Sequence, residues 1–266
     1  FKTDYKDRDD TPVDDYRDNT NYRDHSYMAR AQLQRFFNDG DNIIIGSEIS
    51  LDQSRSNVLR NIYEQPEQKT SAGFAKYRMQ LRDNLILDMG VRYDYRDVTG
   101  GEGYSIKSFQ ALSPKISLIY DMNSSLITYL SYNKGFRAPS ISELFLEYES
   151  SYGLLLQGNP TLKPESLNSI ESGFKLQKEG VSYFGNVFFN QYSDMIDFIY
   201  TIPVRSVNRE IVKGIGAELG SNLYIDKTKS NFNFTYSYLN LNEGSDAPML
   251  YRPKHKIRFT WVQQFS

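Results

Sequence analysis

Cysteine is absent from the 266 residues, which excludes disulfide and thiolate-metal scaffolds. Histidine is scarce: His25 and His255 stand far apart in sequence and read as ordinary polar residues, so no metal site is expected. No apolar run approaches the roughly 18 residues that mark a membrane-crossing helix. The mean hydropathy of -0.58 agrees, and a transmembrane helix is excluded. A membrane β-barrel is not, because only alternate residues of its strands face lipid. Neither sign of charge dominates. With a formal net charge of -2 and no basic stripe, nucleic acid is not an expected partner. No paired-carboxylate, Ser/His/Asp or phosphate-loop constellation is present, so the chain does not read as an enzyme and no cofactor is expected. No signal peptide precedes Phe1, which suits a processed chain or an internal piece of a longer one.

What is abundant is aromatic: 21 Tyr and 16 Phe against a single Trp. Tyr suits a membrane–water boundary, where its ring is buried and its hydroxyl stays wet. A soluble Tyr-rich β protein has the same composition. Apolar and polar residues alternate along most of the sequence. The period predicts strands over 26–37, 42–54, 70–82, 85–97, 110–121, 126–136, 166–177, 181–194, 208–225, 231–242 and 254–265. A twelfth is predicted near 1–8.

The connections alternate between short turns (38–41, 83–84, 121–125, 177–180, 226–230) and long loops (9–25, 55–69, 98–109, 137–165, 195–207, 243–253). One rim of short turns and one of long loops is the layout of an outer-membrane barrel, with short turns periplasmic and long loops extracellular. In 85–97, Leu85, Leu87, Met89, Val91, Tyr93 and Tyr95 share one face. Ile86, Asp88, Gly90, Arg92, Asp94 and Arg96 share the other. A lipid-facing Arg or Lys at midplane costs about 2–4 kcal/mol, so a one-residue slip of this strand is strongly disfavoured. Lys213 falls on an apolar face, but near the long-loop rim, where its stem can snorkel.

The most distinctive stretch is 133–165, which opens Asn-Lys-Gly-Phe-Arg-Ala-Pro-Ser-Ile-Ser-Glu-Leu-Phe and closes Gly-Asn-Pro-Thr-Leu-Lys-Pro-Glu. Its prolines lack the N–H that a sheet ladder needs, so a strand runs out into a long ordered loop and a strand runs back. These words resemble the barrels of TonB-dependent outer-membrane receptors. Further segments resemble the family in its order: Gly90-Val-Arg-Tyr-Asp-Tyr95, Ser113-Pro-Lys-Ile-Ser-Leu-Ile-Tyr120, Glu171-Ser-Gly-Phe174, Lys213-Gly-Ile-Gly-Ala-Glu218 and Arg252-Pro-Lys-His255.

The resemblance implies an all-β fold, a transmembrane antiparallel β-barrel segment supplying about 11–12 strands of a barrel of about 22. Residues 1–266 would then be a single domain, without the family's plug domain and last strands. The implied function is an outer-membrane receptor for a scarce nutrient, energised through TonB, in a Gram-negative-type bacterium. The alternative is a smaller porin-like or adhesin-like barrel. Implied partners are a metal chelate or cobalamin-like ligand, TonB through the plug region, and outer-membrane lipid and lipopolysaccharide.

The candidate ligand-contacting residues are Arg137, Tyr148, Tyr152, Gln157 and Tyr104. A guanidinium at Arg137 can fork onto a carboxylate or phosphate, or can pair with a carboxylate of the barrel or plug. Leu154, Leu155 and Leu156, beside the tyrosines, offer an apolar contact to a bulky ligand or packing for the loop itself. Pro139, Asn159, Pro160 and Pro164 shape the loop. In haem receptors, the resemblance implies, a His between the Phe-Arg-Ala-Pro and Asn-Pro boxes ligates iron. Residues 140–158 hold no His, so axial ligation from this loop is excluded and a siderophore or cobalamin is preferred. The first 25 residues carry Asp4, Asp7, Asp9, Asp10, Asp14, Asp15, Asp18 and Asp24, a density that could hold Ca²⁺. Interleaved Lys2, Lys6, Arg8, Arg17 and Arg23 favour a solvated mixed-charge loop instead.

Overall fold

The computed structural model describes residues 2–6, 21–37, 40–56, 66–100, 105–149, 153–244, 247–248 and 252–264. In chain order its elements are β1 (Lys2–Lys6), β2 (Asn21–Phe36), β3 (Asn42–Ser56), β4 (Glu67–Arg82), β5 (Leu85–Thr99), β6 (Lys107–Asn123) and β7 (Leu126–Arg137). Then come a short helix α1 (Ile141–Phe145), β8 (Glu147–Glu149), β9 (Leu155–Gln157), β10 (Glu165–Lys178) and β11 (Val181–Ile199). Last are β12 (Val204–Ile225), β13 (Ser230–Glu243), β14 (Ala247–Pro248) and β15 (His255–Gln263). All the strands belong to one 15-stranded sheet.

The long strands pair antiparallel in sequence order, β1 to β7, then β10 to β13, with β15 on the free side of β13. Among the described residues the sheet is open, with β1 paired only to β2 and β15 only to β13. The all-β antiparallel barrel segment expected from alternation is therefore present.

The register sorts the side chains by chemistry. One row crosses four strands as Leu33, Ile45, Ala75 and Val91; another runs Ile170, Phe189, Ile215. These residues are apolar yet turned outward: Leu33 is 82% exposed, Ile45 55% and Ile215 59%. An apolar surface that wide and continuous belongs against lipid, not water. On the opposite face, Arg78 forks onto Asp88 at 2.8 and 2.7 Å, and Arg92 bridges Glu48 and Asp94 at 2.9 Å each. Slipping any one strand by a residue would exchange these faces.

At Gly46 and Gly216 on the polar face, aromatic rings close the gap. A Cβ on Gly46 would lie 2.3 Å from the Phe74 ring, and one on Gly216 would lie 2.2 Å from Phe188. Pro114 lies inside β6, which a Pro would normally interrupt. The β6–β7 ladder begins only at Lys115 opposite Asn133, so Pro114 stands where no β7 partner awaits its missing N–H.

The short rim is built by turn chemistry. Asn123 Oδ1 accepts from the N–H groups of Ser125 and Leu126 at 3.0 and 3.1 Å, an Asx turn. Gly180 sits at φ 71°, a conformation that a Cβ would strain. The long rim departs from expectation at 195–207, assigned above to a loop. Here β11 runs on to Ile199 and β12 begins at Val204, so only Tyr200–Pro203 is left as a connection. Met195, Ile196, Phe198, Ile199 and Tyr200 put apolar residues on both faces and Pro203 reads as a loop, so no alternation marked the continuation, in which Asp197 pairs with Arg209 at 2.8 Å. The start of β2 at Asn21 likewise lies inside the predicted 9–25 loop. The remaining Asp-rich residues, 7–20, fall outside the described residues.

Candidate functional site

Pro139 ends β7, and Ala138 and Pro139 are both buried. Ser140 then caps α1. Its Oγ accepts from the Glu143 N–H at 3.2 Å, while the Glu143 carboxylate accepts from the Ser140 N–H at 2.8 Å. This reciprocal pair is a capping box, and it fixes where the helix starts. The same carboxylate receives Arg137 Nη1 at 3.0 and 2.9 Å. Arg137 Nε lies 3.0 Å from Glu165, whose other oxygen accepts from the Ile196 N–H at 2.9 Å. One guanidinium thus ties the end of β7 to α1 and to the start of β10, and through Glu165 to β11.

Beneath α1 is a small apolar core. Ile141, Leu144 and Phe145 pack with Leu162, Val98 of β5 and Ile196 of β11, with Leu144 and Val98 wholly buried. Ile141, Leu144 and Phe145 stand at i, i+3 and i+4 on one helix face, so even this short helix buries three of its side chains. Gly158 is required by close approach: a Cβ there would meet the backbone of Leu144, Phe145 and Leu146 at 2.6 Å.

The return of the chain is pinned by backbone bonds. The Asn159 N–H donates to Glu143 O at 2.8 Å, and its side-chain Nδ2 donates to Ser206 O on β12 at 3.0 Å. Asn159 Oδ1 accepts from the Thr161 N–H at 3.0 Å, closing the turn that contains Pro160. Two residues on, the Lys163 N–H donates to Asn208 Oδ1 at 2.8 Å, and Asn208 Nδ2 donates back to Lys163 O at 2.9 Å. This exchange leaves Pro164, which has no N–H, free of any ladder duty. Within the loop β8 pairs with β9, and β9 runs parallel to the start of β12, with Gln157 opposite Arg205. The 138–164 segment is thus a folded cap on the long-loop rim.

Gln157, Leu146, Leu156, Phe198, Glu143 and Ser206 line a hollow of about 210 Å³ between this cap and the β11–β12 extension. Of the sequence candidates, Gln157 lines it. Arg137 is held by Glu143 and Glu165. Tyr148 lies on β8 opposite Leu156, and Tyr152 and Tyr104 lie outside the described residues. Pro139, Asn159, Pro160 and Pro164 stand at the entry and exit of the cap. Sequence reasoning missed Phe198 and Ser206, because their stretch was assigned to a loop, and Asn208, which it placed at the start of a strand without a role. Glu143 was legible: Ser140 followed three residues later by Glu is a capping-box signature.

Among curated relatives, the chain is 28% identical over 153 residues to TonB-dependent heme receptor A of Haemophilus influenzae, covering 52% of this chain and 20% of that protein. It is 27% identical over 135 residues to the ferrienterobactin receptor of Escherichia coli, covering 44% of this chain and 16% of that protein. The chain therefore spans a fifth or less of the length of these relatives. Among solved structures, the copper transporter OprC superposes with a TM-score of 0.76 at 14% identity, over 93% of this chain and 42% of that one, a likeness of fold. The TonB dependent receptor-like β-barrel family matches residues 1–266, and the chain belongs to that family.

Proposed function

We propose that this chain forms barrel wall and capture loops of an outer-membrane receptor that takes up a metal chelate, energised through TonB, in a Gram-negative-type bacterium. The observation that carries the reading is the two-sidedness of one continuous sheet with a folded cap on a single rim. The apolar face suits lipid, with lipopolysaccharide at the long-loop rim. The polar face suits a wet or protein-filled lumen, and the cap stands where a ligand would arrive. A plug and the contact with TonB would come from other parts of the receptor.

For the ligand, a ferric siderophore is the reading favoured. The ferrienterobactin receptor is among the relatives, and residues 140–158 offer no His to a haem iron. Haem is the second reading, because another relative is a haem receptor over half of this chain. Cobalamin has no counterpart among the relatives named. The test is growth of a strain relying on this receptor, supplied under iron limitation with ferric enterobactin or haem, and in a cobalamin-requiring background with cobalamin. Iron-chelate-dependent growth that vanishes on deletion of TonB is expected. Uptake that persists without TonB would overturn the reading in favour of a passive porin-like barrel.

A further inference from the structure

On the apolar face of the sheet, the outward positions of β7 change chemistry toward the long-loop rim: Leu130, then Tyr132, then Lys134. Leu130 and Tyr132 border a hollow of about 380 Å³, whose other apolar walls are Leu87, Ile116, Leu118 and Ile170. The register sets Ile116, Tyr132 and Ile170 in one row and Leu118 and Leu130 in the next, across β6, β7 and β10. Leu130 is 53% exposed and Ile170 51%. Each of these strands has a paired neighbour on both sides, so the hollow is not an edge of the open sheet.

The next row toward the long-loop rim runs Lys134, Asn168, Gln191 and Lys213 across β7, β10, β11 and β12. The Tyr132 hydroxyl donates to Asn168 Oδ1 at 2.9 Å, which uses the amide's acceptor and leaves its Nδ2 donors to the surroundings. Lys134, Gln191 and Lys213 have no side-chain partner among the described residues, and both lysines are exposed. From this row down to the short turns, no Asp or Glu occupies an outward position of these four strands. A row of cations and donors on the border of an apolar surface suits an anion that stands at the same border. Lys134 and Lys213 are three strand spacings apart, roughly 14 Å at about 4.8 Å per strand, which suits two anionic groups better than one.

We propose that the outward face of β6, β7, β10, β11 and β12 seats one molecule of lipid A, the acylated, bisphosphorylated disaccharide that anchors lipopolysaccharide. An acyl chain fills the hollow beside Leu130 and Ile170. Lys134 and Lys213 each take a phosphate, and the amides of Asn168 and Gln191 donate to sugar and ester oxygens between them. A phospholipid with a single phosphate would leave one lysine unanswered. The seat is on the outside of the wall, so neither a plug nor the strands that complete a barrel would cover it. It rests on the outer-membrane placement proposed above and assigns a specific lipid to that placement.

The test is native mass spectrometry of the receptor as its gene encodes it, released from detergent micelles that contain lipid A, monophosphoryl lipid A or phosphatidylglycerol. Lipid A is expected to bind at concentrations roughly fivefold below those the other two require. Lys134→Gln and Lys213→Gln should each remove that preference, and Ile170→Trp, which narrows the hollow, should weaken lipid A binding. Lys175→Gln removes the same charge from the opposite face of β10 and should change nothing. Heat-modifiable gel mobility shows that each variant is folded. Equal binding of the three lipids, no binding, a preference that survives both lysine substitutions, or binding indifferent to Ile170→Trp would overturn the proposal. Cell fractionation reads the placement separately: a receptor in the outer membrane without the preference sinks this proposal alone, and one absent from that membrane sinks both.

Discussion

Arg137 and Glu165 stand directly opposite each other in the β7–β10 ladder, and Arg137 Nε lies 3.0 Å from the Glu165 carboxylate. The pair closes the neck of the 138–164 cap, and Glu143 reaches the same guanidinium from α1. Arg137→Ala leaves two carboxylates facing each other without their cation. With 41% of the Arg137 side chain exposed, solvent screens part of the loss, and a local cost of about 1–2 kcal/mol is expected. Hydrogen exchange should show it as faster exchange at the Gly158 and Asn159 amides, with the β10–β11 ladder unchanged.

Leu144 is the centre of the cap's apolar core and is wholly buried. Leu144→Ala removes contacts that the surrounding strands cannot collapse to replace, at about 2–5 kcal/mol. The cost falls on the cap, not on the barrel wall. Limited proteolysis should cut within 138–164 in the variant and not in the parent, while heat-modifiable gel mobility stays the same.

The two faces of the sheet should respond oppositely to charge. Val187 is on the apolar face and 59% exposed; Ser131 is on the polar face opposite Glu171. Val187→Arg is expected to destabilise the folded receptor by about 2–4 kcal/mol in lipid. Ser131→Lys, beside a carboxylate, is expected to stay within about 0.5 kcal/mol of the parent. Denaturant unfolding in lipid vesicles measures both.

Asp41 lies in the turn after β2. Its carboxylate accepts from the Tyr77 hydroxyl at 2.6 Å and from the Gln80 N–H at 2.7 Å. The Tyr77 hydrogen bond first, and the Gln80 N–H second, hold its pKa below the ordinary 3.8. A depressed pKa contributes stability above the unfolded value that is lost as pH falls through the folded one. Asp41→Asn should therefore be less stable than the parent at neutral pH. The gap should narrow as pH drops below the ordinary carboxylate value, by denaturant titration.

The strands were legible because a sheet with lipid on one side and polar surroundings on the other imposes a two-residue period. On β5 the apolar face, Leu85, Leu87, Met89, Val91, Tyr93 and Tyr95, is unbroken, while Ile86 and Gly90 stand among the charges of the other. The period fails where both faces are wet. In 195–207, Met195, Ile196, Phe198, Ile199 and Tyr200 fall on both faces and Pro203 reads as a loop, so the upper part of the β11–β12 hairpin went unnoticed, and Phe198 and Ser206 with it. Within the cap, the prolines announced a loop but not its content. α1 is only five residues long, too short for a helical period, and only its Ser140–Glu143 cap marks it in sequence. The pairing of Asn208 with Lys163 links residues 45 apart and has no local signature.

The central claim is that one face of this sheet meets lipid and the other does not. The chain supplies no cysteine of its own, so single-cysteine variants can each carry one nitroxide. In vesicles, labels at Thr128→Cys, Tyr129→Cys, Leu130→Cys and Ser131→Cys on β7 report collision with oxygen, enriched in lipid, and with a water-soluble nickel chelate. The account predicts alternation: Thr128 and Leu130 accessible to oxygen and shielded from nickel, Tyr129 and Ser131 low in oxygen accessibility. Nickel reaching all four positions equally, or oxygen accessibility without a two-residue period, would contradict it.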